Sequence, residues 1–487
     1  MSAFSSSAQA VIRRPVLLDG NQTHEHLSSE QFGDYHDLEW TANQIITKDY
    51  KRIALQFPDE LLQDSVPIYH ALKRAIGAER ELYVLADTSY GSCCVDEVSA
   101  QHVDADSVVH YGHACMSKTY RLPVIYVFGK KPLDVSDATE KLLESFASSN
   151  ASAESVILTH DVAHTHEEEN LISALRSVLA NRNISVSFSP IPRALSPPTT
   201  SVSEDVNSRP DSSENNTAIL YVGAPSLRLT NLLLRHPTTP VHAYDPATRE
   251  ATLQSAKTNK LLMRRYALVQ KARDADVFGI LVGTLGIASY LPMIAHLRKV
   301  IARAHKKAYT ISVGRLHPAK LANFAEIECF VLVACPENSL VDSKDFIRPI
   351  VTPFELQVAL QPSPTWTGEY VLNLEEVLTR RPPEPSLEED EEEDLDRPVF
   401  SLVTGRYRQA KRYGENDRTP VPTSSSSALI LRDQDGTVTT LKDSAAGEFL
   451  QSRTFRGLEP RAGLDPPSVL QQGRSGIARG YGDDHRA

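Results

Sequence analysis

Basic charge, cysteine and long apolar runs are all scarce in this 487-residue chain, and each scarcity excludes something. Lys and Arg number 51 against 62 Asp and Glu, giving a formal net charge of −11. Eight carboxylates and no base fall in 388–396 (EEDEEEDLD), which leaves a net charge of only −3 elsewhere. No basic face able to neutralise a run of phosphates follows from such a balance, so no nucleic-acid partner is expected. The first twenty residues hold no apolar core of signal-peptide length ahead of Arg13 and Arg14. One stretch, Phe278 to Leu297, runs twenty residues without Lys, Arg, Asp or Glu and imitates a membrane span. Gly279, Gly283, Gly286, Ser289, Pro292 and His296 interrupt it, and predict a buried strand, a glycine turn and the start of a helix instead. Five cysteines, two of them adjacent, make a poor disulfide framework. These bounds predict a soluble, cytoplasmic protein with reduced thiols and no membrane partner.

What is present is a series of short apolar runs. RIALQF (52–57), ELYVLAD (81–87), DSVVHYG (106–112) and LPVIYVFG (122–129) form a first set, with an amphipathic stretch from Leu61 to Ile76 inside it. ESVILTHD (154–161), ISVSFS (184–189), AILYVG (218–223) and PVHAYD (240–245) form a second. DVFGILVGT (276–284), KAYTISVG (307–314) and ECFVLVACP (328–336) form a third. Near-continuous Val, Ile and Leu, ending in Gly, Asp, His or Cys, is the pattern of parallel strands covered on both faces. The fold class predicted is α/β, three similar small parallel-sheet domains followed by a largely irregular C-terminal tail. The boundaries are a flexible arm over 1–37, domains over 38–150, 151–268 and 269–370, and an acidic linker and tail over 371–487. A Ser-, Pro- and Asn-rich segment, 192–217, reads as a disordered insertion in the middle domain. Within the tail, AAGEFLQSRTFRGLEP (445–460) alone has the pattern of a short amphipathic helix.

Ligands of parallel α/β sheets sit at the carboxyl ends of strands, and four of the five cysteines lie there. Cys93 and Cys94 follow the second run, Cys115 the third, and Cys335 ends the last. Cys329 lies within the last run and reads as core. Thiols from two distant segments in a reducing compartment suggest a thiolate-bound metal, while free buried thiols are the plain alternative, since no CxxC spacing is present. His113, between Gly112 and Cys115, belongs to the same neighbourhood with its role open. His160, His164 and His166 have metal-ligand residue types at helical spacing, but with Glu167 to Glu169 they read as a solvated helix start. GTLG (283–286) is a glycine turn on which a carboxylate or phosphate could rest, or a plain tight turn; it is neither a Walker loop nor a dinucleotide fingerprint.

The stretch DTSYGSCCVDEVSAQHVDADSVVHYGHACMS resembles the diphthamide biosynthesis family, and YVGAPSLRLTNLLL (221–234), GTLG and VACPENSLVDSKDFIRPIVTPFEL (333–356) agree with it. The resemblance spans about residues 38 to 365. It implies three similar domains around a pseudo-threefold centre, with one cluster cysteine per domain in catalytic members. Here residues 116 to 328 contain no cysteine, and the segment that should carry the middle thiol reads PIPRALSPP (190–198). That departure, together with CPENSLVDSKDF, resembles the second-subunit branch of the family. The resemblance then implies a heterodimer with a paralogous catalytic diphthamide synthase subunit. The pair would transfer a 3-amino-3-carboxypropyl group from S-adenosylmethionine, by a radical route, to a histidine of translation elongation factor 2. This chain would be a transferase component that is not itself catalytic, binding a 4Fe-4S cluster through Cys93 or Cys94, Cys115 and Cys335, with Cys94 slightly preferred of the adjacent pair. It would help to reduce the partner's cluster, with electrons from a small iron-binding donor protein and an NADH-dependent reductase. A metal-free scaffold that stabilises the catalytic partner is the other role.

Overall fold

All eleven apolar runs are strands in the computed structural model, which describes residues 28–85, 90–149, 153–196, 217–341, 345–361, 368, 370–380, 399–408, 430–432 and 438–440. The first set gives β1 (Arg52–Gln56), β2 (Glu81–Val84), β3 (Ser107–Tyr111) and β4 (Val124–Val127), mutually parallel in the order β2-β1-β3-β4. The second gives β5 (Ser155–His160), β6 (Ser185–Phe188), β8 (Thr217–Val222) and β9 (Val241–Asp245), parallel in the order β9-β8-β5-β6. The third gives β11 (Val277–Val282), β12 (Lys307–Ser312) and β13 (Cys329–Val333), with β14 (Ile350–Val351) added beside β13. Every residue of β3, β4, β11 and β13 is buried, as expected where helices cover both faces of a sheet. Ile68, Leu72 and Ile76 fall four residues apart on the helix Ser65–Ile76 and pack on the first sheet, each burial stabilising by about 1.5–3 kcal/mol.

The charge-free stretch from Phe278 divides as its glycines predict. It is the end of β11, a turn, and the first part of the helix Tyr290–Arg303. No helix among the described residues is long and apolar enough to cross a membrane.

The flexible arm expected over 1–37 contains helical residues from Ser29 on, and residues 1–27 lie outside the described residues. Ser28 accepts from the Gln31 N–H while Gln31 accepts from the Ser28 N–H, and this capping box opens a helix over Ser29–Tyr35. A second helix, Leu38–Thr47, follows at once and buries Ala42 and Ile45 in the first core.

The first residues of the disordered insertion expected over 192–217 are ordered. Ala194–Leu195 form β7, which adds antiparallel to the edge of β4, so part of the middle segment completes the first sheet. Arg193 fixes it there, 3.9 Å over the Trp40 ring and 2.6 Å from Asp37 Oδ2. Residues 197–216 lie outside the described residues. A further edge strand, β10 (Glu250–Leu253), pairs antiparallel with β9.

The third layer continues past 370. Tyr370, Val371 and Leu372 are buried, and the helix Leu374–Thr379 puts Leu374 and Val377 into the same core as Leu297 and Ile301. Within the tail, β15 (Val399–Ser401) and β16 (Arg406–Arg408) form a hairpin. It is held to the third sheet by Ser401 to Asp274 and by an ion pair between Arg408 and Asp276. In a separate unit over 421–487, Ile430–Arg432 pairs antiparallel with Val438–Thr440. The helix expected over 445–460 and the acidic run 388–396 lie outside the described residues.

Candidate metal centre

The loops that leave β2, β3 and β13 meet. Cys93, Cys94, Cys115 and Cys335 are all buried, and their four Sγ atoms lie within 4.8 Å of one another. Cys93 Sγ is 3.7 Å from Cys335 Sγ, and Cys115 Sγ is 3.8 Å from Cys94 Sγ. Cys93 and Cys94 both point their thiols into the group. Cys329 is buried in β13 among core side chains, as its position predicts.

Backbone and buried polar groups fix these loops. The Cys115 N–H donates to Cys93 O at 3.1 Å and joins the two first-sheet loops directly. Gln56, buried at the end of β1, donates from Nε2 to Cys94 O at 2.8 Å and accepts from the Asp96 N–H at 2.9 Å. Glu97, also buried, accepts the backbone N–H groups of Tyr120, Arg121 and Leu122 at 3.0, 2.8 and 2.7 Å, holding the loop that follows Cys115. On the third-sheet side, the GTLG turn is a packing contact. A Cβ at Gly286 would lie 2.0 Å from Val95 O, so only glycine lets that turn touch the cysteine loop.

The four thiols interact strongly. Contacts with Cys335, Cys93 and Cys94 hold the Cys115 thiol well below the ordinary range, with Ser117 Oγ 3.3 Å away. Their interaction with Cys115, reinforced by burial, pushes Cys93 and Cys335 up. Asn338 donates from Nδ2 to Cys93 Sγ at 3.2 Å and from its backbone N–H to Cys335 Sγ at 3.3 Å. Four converging sulfurs, one favouring thiolate and two accepting from N–H groups, form a donor set for a soft metal ion or an iron–sulfur cluster.

His113 lies beside this group and ties the three sheets together. Its Nε2–H donates to Glu337 Oε2 at 2.6 Å, and Nδ1 is 4.0 Å from Asp161 Oδ1. Burial disfavours its charged form, but Glu337 and then Asp161 outweigh that and raise the imidazole above its usual range. A cavity of about 790 Å³ opens next to Cys93 and is bordered by Tyr35, Tyr90, His113, Asp161, Arg315 and Glu337. A smaller one of about 260 Å³ reaches Cys115 past Phe188 and Arg228.

The histidines expected as a solvated helix start divide: His166 is exposed just before the helix Glu168–Ala180, while His160, the last residue of β5, and His164 are not. His160 and His164 are buried, and His160 stacks on Phe188 at 5.7 Å. The four cysteines are the one group of metal-ligand residues found among the described residues. Sequence reasoning missed Gln56, Glu97 and Asn338. A polar residue closing the apolar run RIALQ was a signal for Gln56; for Asn338 the sequence carries none.

Residues 57–371 match the family described as "Putative diphthamide synthesis protein". The zebrafish (Danio rerio) protein named 2-(3-amino-3-carboxypropyl)histidine synthase subunit 2 is 39% identical, over 99% of this chain and 97% of its own. A protein of the same name from Cryptococcus neoformans var. neoformans is 41% identical over 92% of this chain and 91% of its own. Among solved structures, Dph2 from Pyrococcus horikoshii, described with a 4Fe-4S cluster, superposes with a TM-score of 0.53 at 22% identity. The match covers 68% of this chain and 93% of that one, and it shows the shared fold.

Proposed function

The chain belongs to the diphthamide synthesis protein family, and on that premise we propose that it is the electron-relaying iron–sulfur subunit of a two-chain transferase acting in the first step of diphthamide synthesis. The pair would move a 3-amino-3-carboxypropyl group from S-adenosylmethionine to a histidine of elongation factor 2, with the bond formed in the partner chain. The observation that carries this reading is the convergence of four thiols, rather than three, within 4.8 Å. A cluster bound by four cysteines has all its iron corners capped by protein. Such a site has no open iron for a substrate, which favours relay over catalysis.

Cys93, Cys94, Cys115 and Cys335 would hold the cluster, and bound there it would supply one-electron transfer. Cys115 offers the thiolate. Asn338 donates hydrogen bonds to Cys93 Sγ and Cys335 Sγ, and Ser117 Oγ lies 3.3 Å from Cys115 Sγ. The apolar neighbours Ile287, Val333 and Val351 belong to the same buried core as the thiols and exclude water. His113, Glu337 and Asp161 hold the three sheets in register around the centre.

The test compares reductants in the reconstituted pair. Cys335→Ala should leave elongation-factor modification within about twofold when dithionite reduces the partner directly. With a protein electron donor the same variant should slow it at least about tenfold. Equal loss under both reductants would place the thiol in the bond-forming site and end the relay reading.

The sulfur spacing favours a second reading. A tetrahedral ion with metal–sulfur bonds of about 2.3 Å places its sulfurs about 3.8 Å apart, close to the 3.7 and 3.8 Å found here. Anaerobic analysis decides between them: iron with equimolar acid-labile sulfide supports the cluster, and one zinc or iron per chain without sulfide supports the single ion.

A further inference from the structure

We propose that Asn338 sets the reduction potential of the centre by donating hydrogen bonds to two of its sulfurs from two different sheets. This rests on the iron–sulfur reading above and deepens it. The Asn338 side chain reaches Cys93, which belongs to the loop after β2, at 3.2 Å. Its backbone N–H reaches Cys335, at the end of β13, at 3.3 Å. Outside the four cysteines themselves, no other described residue is seen to donate to two of the thiols.

The position is built for that contact. The turn from Cys335 to Ser339 is closed by the Ser339 N–H donating to Cys335 O at 3.0 Å and by Ser339 Oγ donating to the same oxygen at 2.8 Å. That closure points the Asn338 N–H back at the Cys335 sulfur. The amide side chain then crosses to the first sheet through a space that exists because residue 91 is glycine. A Cβ on Gly91 would lie 2.0 Å from Asn338 Nδ2 and 3.1 Å from its Cγ. Gly91 is two residues before Cys93, so the same loop supplies both the ligand and the gap for its hydrogen-bond donor.

The consequence is electrostatic. Adding an electron makes the cluster and its thiolates more negative, and a buried apolar setting resists that added charge. Donors aimed at the sulfurs stabilise the reduced form and raise the potential. Removing the Asn338 amide should leave the four ligands in place while making the centre harder to reduce. For a subunit that receives electrons and passes them on, this is the quantity that matters.

The experiment uses the full chain with its partner subunit, reconstituted anaerobically with iron and sulfide. It reads two quantities, iron and sulfide per chain and the midpoint potential of this chain's centre from electron paramagnetic resonance during a redox titration. Asn338→Leu should keep the wild-type iron and sulfide content and shift the potential to more negative values. Asn338→Asp, of the same size but carrying an acceptor and a negative charge, should shift it further in the same direction. Gly91→Ala, which displaces the amide without touching it chemically, should reproduce the direction seen with leucine. Unchanged potentials in fully loaded variants would overturn the proposal, as would loss of the cluster in all three, which would make Asn338 a holding rather than a tuning group. A wild-type chain that takes up no iron and sulfide would instead overturn the reading on which it rests.

Discussion

His110 shows how one residue links the site's support to pH. It is fully buried in β3, and its Nε2–H donates to Ser92 O at 3.1 Å, immediately before the cysteine pair. Burial pushes the imidazole down to about 4, against the smaller opposing effect of that hydrogen bond. The unfolded chain binds a proton at this side chain below about 6.5, and the native chain does so only near 4. Between those values the unfolded state holds more protons, so stability falls as pH drops through that window and levels off below it. The maximum effect is about 3 kcal/mol, at roughly 1.4 kcal/mol per unit. His110→Gln, which keeps an N–H donor, should flatten the decline between pH 6.5 and 4 in urea unfolding. Burial lowers His164 and His242 as well, so the slope should shrink rather than vanish. An unaltered slope would show that His110 titrates normally. None of this is legible in DSVVHYG. What makes it structural is complete burial under a loop that folds back from another strand.

At the scale of elements, the longer apolar runs are legible in the sequence, and strands of two residues or of polar composition are not. The eleven apolar runs are strands because parallel sheets covered by helices demand continuous Val, Ile and Leu. The additions are short or exposed: β7 is two residues between prolines in IPRALSPP, β10 (EATL) is largely exposed, and β14 is two residues in RPIVTP. Such strands are recruited by a neighbour's edge, and their own residues do not call for them. The GTLG turn is a related case, readable as a turn but not as an inter-sheet contact. Gly286→Ala would force a Cβ to within 2.0 Å of a backbone oxygen of the cysteine loop, which a flexible side chain cannot relieve. We expect this variant to lose more than half of its bound iron while its helical circular dichroism is retained, with a thermal midpoint lowered by several degrees. Full metal loading with an unshifted midpoint would mean that the turn and the Val95 loop separate without consequence.

At the scale of the whole molecule, the arrangement of thiols bears on what the chain can do alone. Three of the four thiols come from the loops of the first sheet and one from the third. The second sheet gives Asp161, through His113, and no sulfur. The segment in which the family resemblance places a middle-domain thiol passes instead through Ala194 and Leu195, which pair with β4. If a third sulfur from the middle segment is what leaves one iron free in a catalytic member, this chain has replaced that open arrangement with a closed one. On the proposed reading a homodimer would only duplicate a closed site, and bond formation would fall to a different polypeptide. We therefore expect this chain and its paralogue to co-elute as a 1:1 complex in sedimentation and sizing experiments, with elongation-factor modification confined to the mixture. Permanent pairs usually bury large apolar interfaces, so the chain by itself should self-associate or lose solubility. A stable monomer that ignores the paralogue, or a preparation of this chain alone that modifies the factor, would show that four converging thiols do not close the site to substrate.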